Sequence, residues 1–184
     1  MYEITDYLRH FFVVKSGLFC ATPFKKGDAL VQCIQKESKP NNNGDVTITK
    51  TCTYKNYRSV NIGAPDYKGR SFWSSGLYEK QNNRFVRIKN AEFFNQNRVA
   101  LLAILNKKFQ EAFKKDKSQA TDADTKQCFD FMDNLRWYEW DDISISFDGD
   151  SVVFDISYGL GDACYSQDNG SVSFTFAYLK PYLK

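Results

Sequence analysis

The stretch ISISFDGDSVVFDIS, residues 143–157, decides the fold of the last third of the chain. Two runs of alternating apolar and polar residues flank Asp148-Gly149-Asp150, and such a turn sequence is a strong signal for a β-hairpin. The alternation gives the hairpin one apolar face, which must pack against another element. A further strand, SVSFTFAY at 171–178, is predicted to close this β-structure. Its apolar face carries Val172, Phe174, Phe176 and Tyr178.

The region before this hairpin is predicted to hold two helices. Within 91–117, apolar residues recur at three- and four-residue steps, as expected of one helix face. This stripe consists of Leu102, Leu105, Phe109 and Phe113. We expect it to pack on the sheet; a groove for a partner is the alternative. The polar stretch KSQATDADT then ends the helix, and Asp122 or Asp124 is the predicted N-cap of a shorter second helix.

The first half of the chain is predicted to be mostly β-structure. Residues 29–37 and 45–54 alternate and are rich in β-branched types, which is typical of strands. Residues 57–80 are expected to form short strands with irregular links. SFWSSGLYEK then meets RFVRI across QNN, which predicts another hairpin. Residues 1–20 are interpreted as a helix or a loose arm.

The turn sequence SKPNNNGD implies a register for the first of these hairpins. It pairs Val31 with Tyr54 and Cys33 with Cys52, on one face of two antiparallel strands. Opposed cysteines need only a small adjustment to form a disulfide, so Cys33–Cys52 is a candidate bridge. Two small buried thiols are an equally good interpretation, and only the bridge indicates an oxidising compartment.

These elements predict the α+β class. We expect a small antiparallel sheet, with one long helix and a shorter helix packed on one face. Residues 1–54 are interpreted as an N-terminal arm and β-hairpin, and residues 55–184 as the α+β domain. The two parts are expected to form one compact unit.

Composition and motifs exclude several classes of function. The 184-residue chain carries a net charge of +3, too small an excess to indicate nucleic acid binding. No apolar run approaches the ~18 residues that a membrane span needs. With a single histidine, His10, and no CxxC pair, the sequence supports neither a zinc site nor a Ser-His or Cys-His pair. We therefore expect a soluble binding domain rather than an enzyme, with no cofactor and no metal.

Paired carboxylates are the remaining enzymatic option. Asp141 and Asp142 follow Trp137, Tyr138 and Trp140, and glycosidases use two acids beside aromatic side chains that stack on sugars. A junction between helix and strand, with the rings in the core and the acids in water, explains the same pattern. We favour the junction.

Three segments in this order resemble one known domain family. They are YEKQNNRFVRIKNAEFF before the long helix, ISISFDGDSVVFDIS after it, and a final strand that runs into YLKPYLK. The pattern is similar to the extracytoplasmic domain at the C-terminus of RsiV-type anti-sigma factors, which also occurs beside peptidoglycan deacetylases and in stand-alone bacterial proteins. The matching pieces, 77–94, 145–158 and 172–183, spread over residues 55–184. Two loops depart from the family pattern, DYKGRSFWSSG and GLGDACYSQDNG.

The resemblance implies a small sheet with a helix on one face, in a protein that works outside the cytoplasm. RsiV-type members bind lysozyme as a signal, so the implied partner is a muramidase or a lysozyme-like toxin. The chain lacks the sigma-binding segment and the membrane helix of such a receptor. We therefore expect a periplasmic or secreted inhibitor or immunity protein, with its leader removed; a cytoplasmic location stays open. The alternatives are a sensory domain of an envelope signalling protein and a peptidoglycan- or carbohydrate-binding module.

The contact surface for a protein partner is expected at the loop from Gly159 to Gly170 and at an aromatic strip around Phe72, Trp73 and Trp137. Aromatic residues are enriched at the energetic centres of protein interfaces. The candidate contact residues are Phe72, Trp73, Trp137, Tyr158, Gly159, Asp162, Tyr165 and Asp168. The sequence does not indicate the oligomeric state.

Overall fold

The computed structural model describes residues 18–21, 47–65, 71–82 and 84–184. Within them the fold is α+β, as predicted, but the strands form two antiparallel sheets instead of one small sheet. No helix among the described residues is long and apolar enough to cross a membrane.

The first sheet is a five-stranded meander in which neighbours in sequence are neighbours in space. The predicted hairpin across QNN is confirmed as its last two strands. The predicted short strands of 57–80 are longer than expected. The strands are β1 (Leu18–Ala21), β2 (Thr47–Tyr54), β3 (Tyr57–Pro65), β4 (Ser71–Gln81) and β5 (Arg84–Ile88).

The register of β2 differs from the predicted one. Cys20, not Cys33, stands opposite Cys52, and Leu18 stands opposite Tyr54. The other edge of β2 pairs with β3, so the predicted register is wrong, whereas the Cys33–Cys52 bridge itself stays a prediction. Cys52 is disulfide-bonded, whereas Cys33 lies outside the described residues. A turn signal is local, and it could not reveal that a strand further upstream pairs with β2.

The second sheet has three strands, β6 (Ser144–Asp148), β7 (Ser151–Ser157) and β8 (Asn169–Thr175). The predicted β6–β7 hairpin is confirmed, and its Gly149 has a positive φ of 56°. The predicted last strand is too long, because Thr175 caps a short helix, α3 (Phe176–Leu179), by accepting a hydrogen bond from the Tyr178 backbone N–H.

Two longer helices lie between the sheets in sequence. The long helix α1 (Arg98–Gln119) begins later than predicted, because a 3-10 turn (Asn90–Phe93) precedes it. The shorter helix α2 (Ala123–Asp130) has the predicted N-cap: Asp122 accepts a hydrogen bond from the Thr125 backbone N–H at 2.8 Å. The predicted stripe of α1 is buried and belongs to one core cluster with residues of both sheets.

Two serines join the sheets along β6. The Phe147 backbone N–H donates to Ser59 Oγ, and the Ser75 backbone N–H donates to Ser144 Oγ, each at 3.0 Å. These bonds satisfy one backbone N–H of β6 and one of β4, and they hold β6 against the first sheet. The predicted boundary at 54/55 falls within the turn between β2 and β3, so it divides one continuous sheet.

Candidate functional site

Residues 131–139, which we call the strap, lie along α1 and are fixed to it by side chains. The Asn106 amide accepts from the Tyr138 backbone N–H at 2.7 Å and donates to the Tyr138 carbonyl at 3.0 Å. Gln110 makes the same pair of bonds with Leu135, at 3.1 Å and 2.7 Å. Each side-chain amide thus makes the two backbone hydrogen bonds that a neighbouring strand would make with one strap residue. Asn106 is buried where it does so.

A third contact, from Lys117 Nζ to the Met132 carbonyl at 2.8 Å, holds the other end of the strap. The anchored strap residues run from Met132 through Leu135 to Tyr138, and their partners on α1 run back from Lys117 through Gln110 to Asn106. The strap is therefore antiparallel to the helix. The three anchors span positions 106–117 of α1, or roughly 16 Å at 1.5 Å per residue. The strap is therefore an extended segment whose backbone is held at both ends and in the middle.

Two large aromatic side chains on the strap point to solvent. Phe131 is 81% exposed and Trp137 is 56% exposed, while Leu135 and Tyr138 are buried. Single exposed apolar residues are ordinary, but two large rings on one fixed segment are the kind of feature that marks interaction sites. The sequence prediction named Trp137 and missed Phe131. Phe131 stands three residues after Cys128 and four before Leu135, so helical spacing groups it with apolar residues and gave no sign that it faces outward.

The residues that flank Trp137 are themselves held in place. Arg136 makes two hydrogen bonds to the Asp142 carboxylate, at 2.9 Å and 3.0 Å, and its guanidinium lies 4.8 Å from the centre of the Tyr138 ring. The hydrogen bonds from Arg136 hold the pKa of Asp142 below its ordinary value. In sequence, Trp137 thus lies between Arg136, whose guanidinium is held in place, and Tyr138, whose ring is buried.

Residues 158–168, which we call the loop, are fixed from within. Tyr158 is buried, and its ring packs edge-on against Phe113 and lies near Phe129. Its hydroxyl donates to Asp116 at 2.6 Å. Burial and this bond raise the pKa of the Tyr158 hydroxyl, so it remains a donor. A Cβ on Gly170 would lie 2.4 Å from the Tyr158 ring, so only glycine fits there.

Asp168 closes the loop at its base. Its carboxylate accepts from the Leu160 backbone N–H at 2.8 Å and from the Ser157 hydroxyl. Its carbonyl accepts from the Tyr158 backbone N–H at 3.3 Å. The two ends of the loop are therefore tied together by one residue.

The strap and the loop are joined at two places and form one surface, which we call the strap–loop surface. The Tyr138 hydroxyl donates to the Ser157 carbonyl at 2.8 Å, at the base of the loop. A disulfide links Cys128, three residues before the strap, to Cys164 inside the loop. This pairing was not predicted, because the two cysteines are 36 residues apart and their proximity depends on tertiary packing.

The predicted contact residues divide between the outside and the inside of this surface. Trp137 and Gly159 are exposed, and Tyr165 is half-buried. Tyr158 is buried and holds the loop from within, whereas Asp168 is half-buried and ties the loop at its base. A contact of Asp168 with a partner stays a prediction. The side chain of Asp162 lies outside the described part of the chain. The same holds for Phe72 and Trp73, whose backbone lies on β4, away from the strap in sequence.

The predicted acid pair lines a separate cleft between the two sheets. Asp141 and Asp142 belong to a 3-10 turn, Trp140–Asp142, and contribute to a cleft of about 820 Å³. Of the two, only Asp142 has an ion-pair partner among the described residues, namely Arg136. The charged residues of the lining are Arg87, Lys89, Glu92, Asp141, Asp142 and Asp155. Among the described residues, no cluster of His, Cys, Asp or Glu is arranged to hold a metal ion.

Comparison of the chain with protein-family models, with curated proteins and with solved structures found no match. The resemblance to the RsiV-type domain therefore rests on the motifs quoted above.

Proposed function

We propose that this chain is an extracytoplasmic protein-binding domain that inhibits, or gives immunity against, a lysozyme-like cell-wall-degrading enzyme. The observation that carries the proposal is the strap–loop surface. It exposes two large rings on a backbone that side chains and a disulfide hold in place. A surface that is ordered before binding loses less conformational entropy on binding, so more of the contact energy appears as affinity.

The disulfides support the extracytoplasmic part of the proposal. Cys52, Cys128 and Cys164 are all disulfide-bonded. Disulfides persist in oxidising compartments and are rare in a reducing cytoplasm. We therefore place the working protein in the periplasm or outside the cell.

The sequence resemblance supports the choice of partner. The order of hairpin, long helix, second hairpin and YLKPYLK ending resembles the domain with which RsiV-type proteins bind lysozyme. Such an enzyme holds its substrate in a cleft with two carboxyl groups about 5–9 Å apart. A fixed segment with a protruding Trp137 has a suitable shape to occlude that cleft.

A carbohydrate-binding module is the second candidate, because Asp141 and Asp142 line a cleft. The observation against it is the character of the lining. None of the residues that line this cleft is aromatic, so the described residues offer sugars no ring to stack on. We therefore rank protein binding first.

The test uses the full chain with its disulfides intact. Calorimetry would measure binding to c-type and g-type lysozymes and to phage-type muramidases, and turbidity assays would measure inhibition of cell-wall lysis. We expect nanomolar to micromolar binding to at least one of these enzymes. Trp137→Ala should weaken it by at least about thirtyfold, which corresponds to a hot-spot loss of about 2 kcal/mol.

Tyr178→Ala is the matched control. Tyr178 is also a large exposed ring, at 48%, but it lies on α3 and stacks on Phe174, so its loss should leave binding unchanged. The proposal fails if the folded protein neither binds nor inhibits any of the enzymes. It also fails if Trp137→Ala and Tyr178→Ala weaken binding equally.

A further inference from the structure

The cleft between the sheets holds charges of both signs that the strap–loop surface does not use. Arg87 lies at the end of β5, in the first sheet, and Lys89 directly follows this strand. Asp155 lies on β7, in the second sheet, and Asp141 lies on the 3-10 turn between the sheets in sequence. The volume of about 820 Å³ is within the ~300–1,000 Å³ of small-molecule sites.

Asp155 is an acid of the cleft that makes no ion pair with any of the described residues. It is half-buried, between Ser144 on one neighbouring strand and Ser171 on the other. Desolvation raises its pKa, and the hydrogen bond from Ser171 only partly opposes this effect. A half-buried carboxylate without a cation is costly, and an ammonium group from a ligand would compensate it.

The opposite charge is available on the first sheet. Arg87 is exposed and makes no ion pair with any of the described residues. A guanidinium of this kind binds a carboxylate through two parallel hydrogen bonds, and Lys89 adds a second positive charge nearby. Of the other acids in the lining, Asp142 pairs with Arg136 at 2.9 Å, and Glu92 accepts from the Lys89 backbone N–H at 2.9 Å. Asp141 also lines the cleft and makes no ion pair with a described residue.

We propose that this cleft binds a short zwitterionic peptide, with its ammonium group at Asp155 and its carboxylate at Arg87 and Lys89. The ligand class follows from the two charges on different walls and from the volume between them. The site is separate from the strap–loop surface, so the peptide and a protein partner would bind to different parts of the molecule.

The test compares three probes on the folded, oxidised chain: trialanine, N-acetyl-trialanine and trialanine amide. The first carries both end charges, and each of the others has lost one. Amide shifts in NMR titrations should move at residues 87–90 and 155–157 with trialanine. We expect each blocked probe to bind at least about tenfold more weakly, the equivalent of one charge-assisted hydrogen bond of about 1.4 kcal/mol.

Two variants assign the ends. Asp155→Asn should make trialanine and its N-acetyl form bind alike. Arg87→Gln should reduce the difference between trialanine and its amide, and the double variant Arg87→Gln/Lys89→Gln should abolish it. Asp150→Asn, in the β6–β7 turn, and Arg84→Gln, on β5 outside the cleft, should keep both differences.

Three results would overturn the proposal: no binding of trialanine up to about 10 mM, a range that includes weak millimolar ligands; shifts located elsewhere; or equal binding of the three probes. Trp137→Ala should leave peptide binding intact, so failure of the enzyme-inhibition proposal and failure of this one give different patterns.

Discussion

Asp155 shows how a single residue of a binding cleft can lower the stability of the fold. Its neighbours across the sheet, Ser144 and Ser171, are small and polar, so they can hydrogen-bond the carboxylate but cannot neutralise it. Residues at binding sites are often less well compensated than those of a core, because the ligand supplies the missing interaction.

The stability of an Asp155→Asn variant should depend on pH in a definite direction. The folded-state pKa of Asp155 is raised above the ordinary 3.8, so its contribution to stability is full below 3.8 and is lost as pH rises through the folded value. Asparagine carries no charge and can still accept from Ser171. We therefore expect the variant to be more stable than the parent at pH 7, and the gain to vanish near pH 3.

Urea unfolding at the two pH values measures this difference. Asp150→Asn is the control, since Asp150 is exposed in the hairpin turn and should change the free energy of unfolding by no more than about 0.5 kcal/mol. A gain for Asp155→Asn that is the same at both pH values would contradict the assignment of a raised pKa.

At the scale of elements, the strap is the unusual feature. It has no strand partner among the described residues, and α1 satisfies its backbone with the side chains of Asn106, Gln110 and Lys117. Asn106 and Gln110 are four residues apart and Lys117 lies seven further on, so all three share one side of the helix. The helix thus has an apolar face toward the core and a polar row that carries the strap.

Asn106→Ala should loosen the strap at Tyr138. The substitution leaves the buried N–H and carbonyl of Tyr138 without partners, and each such loss costs about 1–3 kcal/mol. We expect urea unfolding to show a loss of at least about 2 kcal/mol and hydrogen exchange at Tyr138 to become faster.

Lys107→Ala is the matched control, because Lys107 is the exposed neighbour on the same helix and should be nearly neutral. If the two variants were equally stable, the amide bonds would not hold the strap. Loss of lysozyme binding in Asn106→Ala alone would connect this anchor to the proposed function.

The sequence predicted those elements whose signals are local. The alternation around Asp148-Gly149-Asp150 and the stripe from Leu102 to Phe113 gave the second hairpin and the long helix, because burial of one face imposes a period. The strap has no such period, since its partners are side chains of a helix. The pairing of β1 with β2 and the Cys128–Cys164 bridge also depend on contacts that local sequence does not record.

At the scale of the whole molecule, the Cys128–Cys164 disulfide connects three parts: α2, the strap that follows it and the loop. Asp116 and Lys117, adjacent on α1, hold the loop and the strap respectively. The end of α1 and the disulfide thus fix the same surface from two sides. Because the strap and the loop are joined to each other, loss of the disulfide should increase the mobility of both.

Replacing both Cys128 and Cys164 with serine should lower the free energy of unfolding by about 2–4 kcal/mol, because the bridge closes a loop of 36 residues in the unfolded chain. The double variant tests this bridge better than a reductant does, since a reductant would also open the bond at Cys52. Urea unfolding gives the stability change, and hydrogen exchange at the Leu135 and Tyr138 backbone N–H groups reports on the strap. If the strap–loop surface is the binding site, the folded variant should also bind its enzyme more weakly, chiefly through faster dissociation, because a looser loop must be ordered on binding.

Unchanged stability together with unchanged binding would show that Asp116, Asp168 and the strap anchors suffice to hold the loop, and that the bridge contributes nothing to the surface.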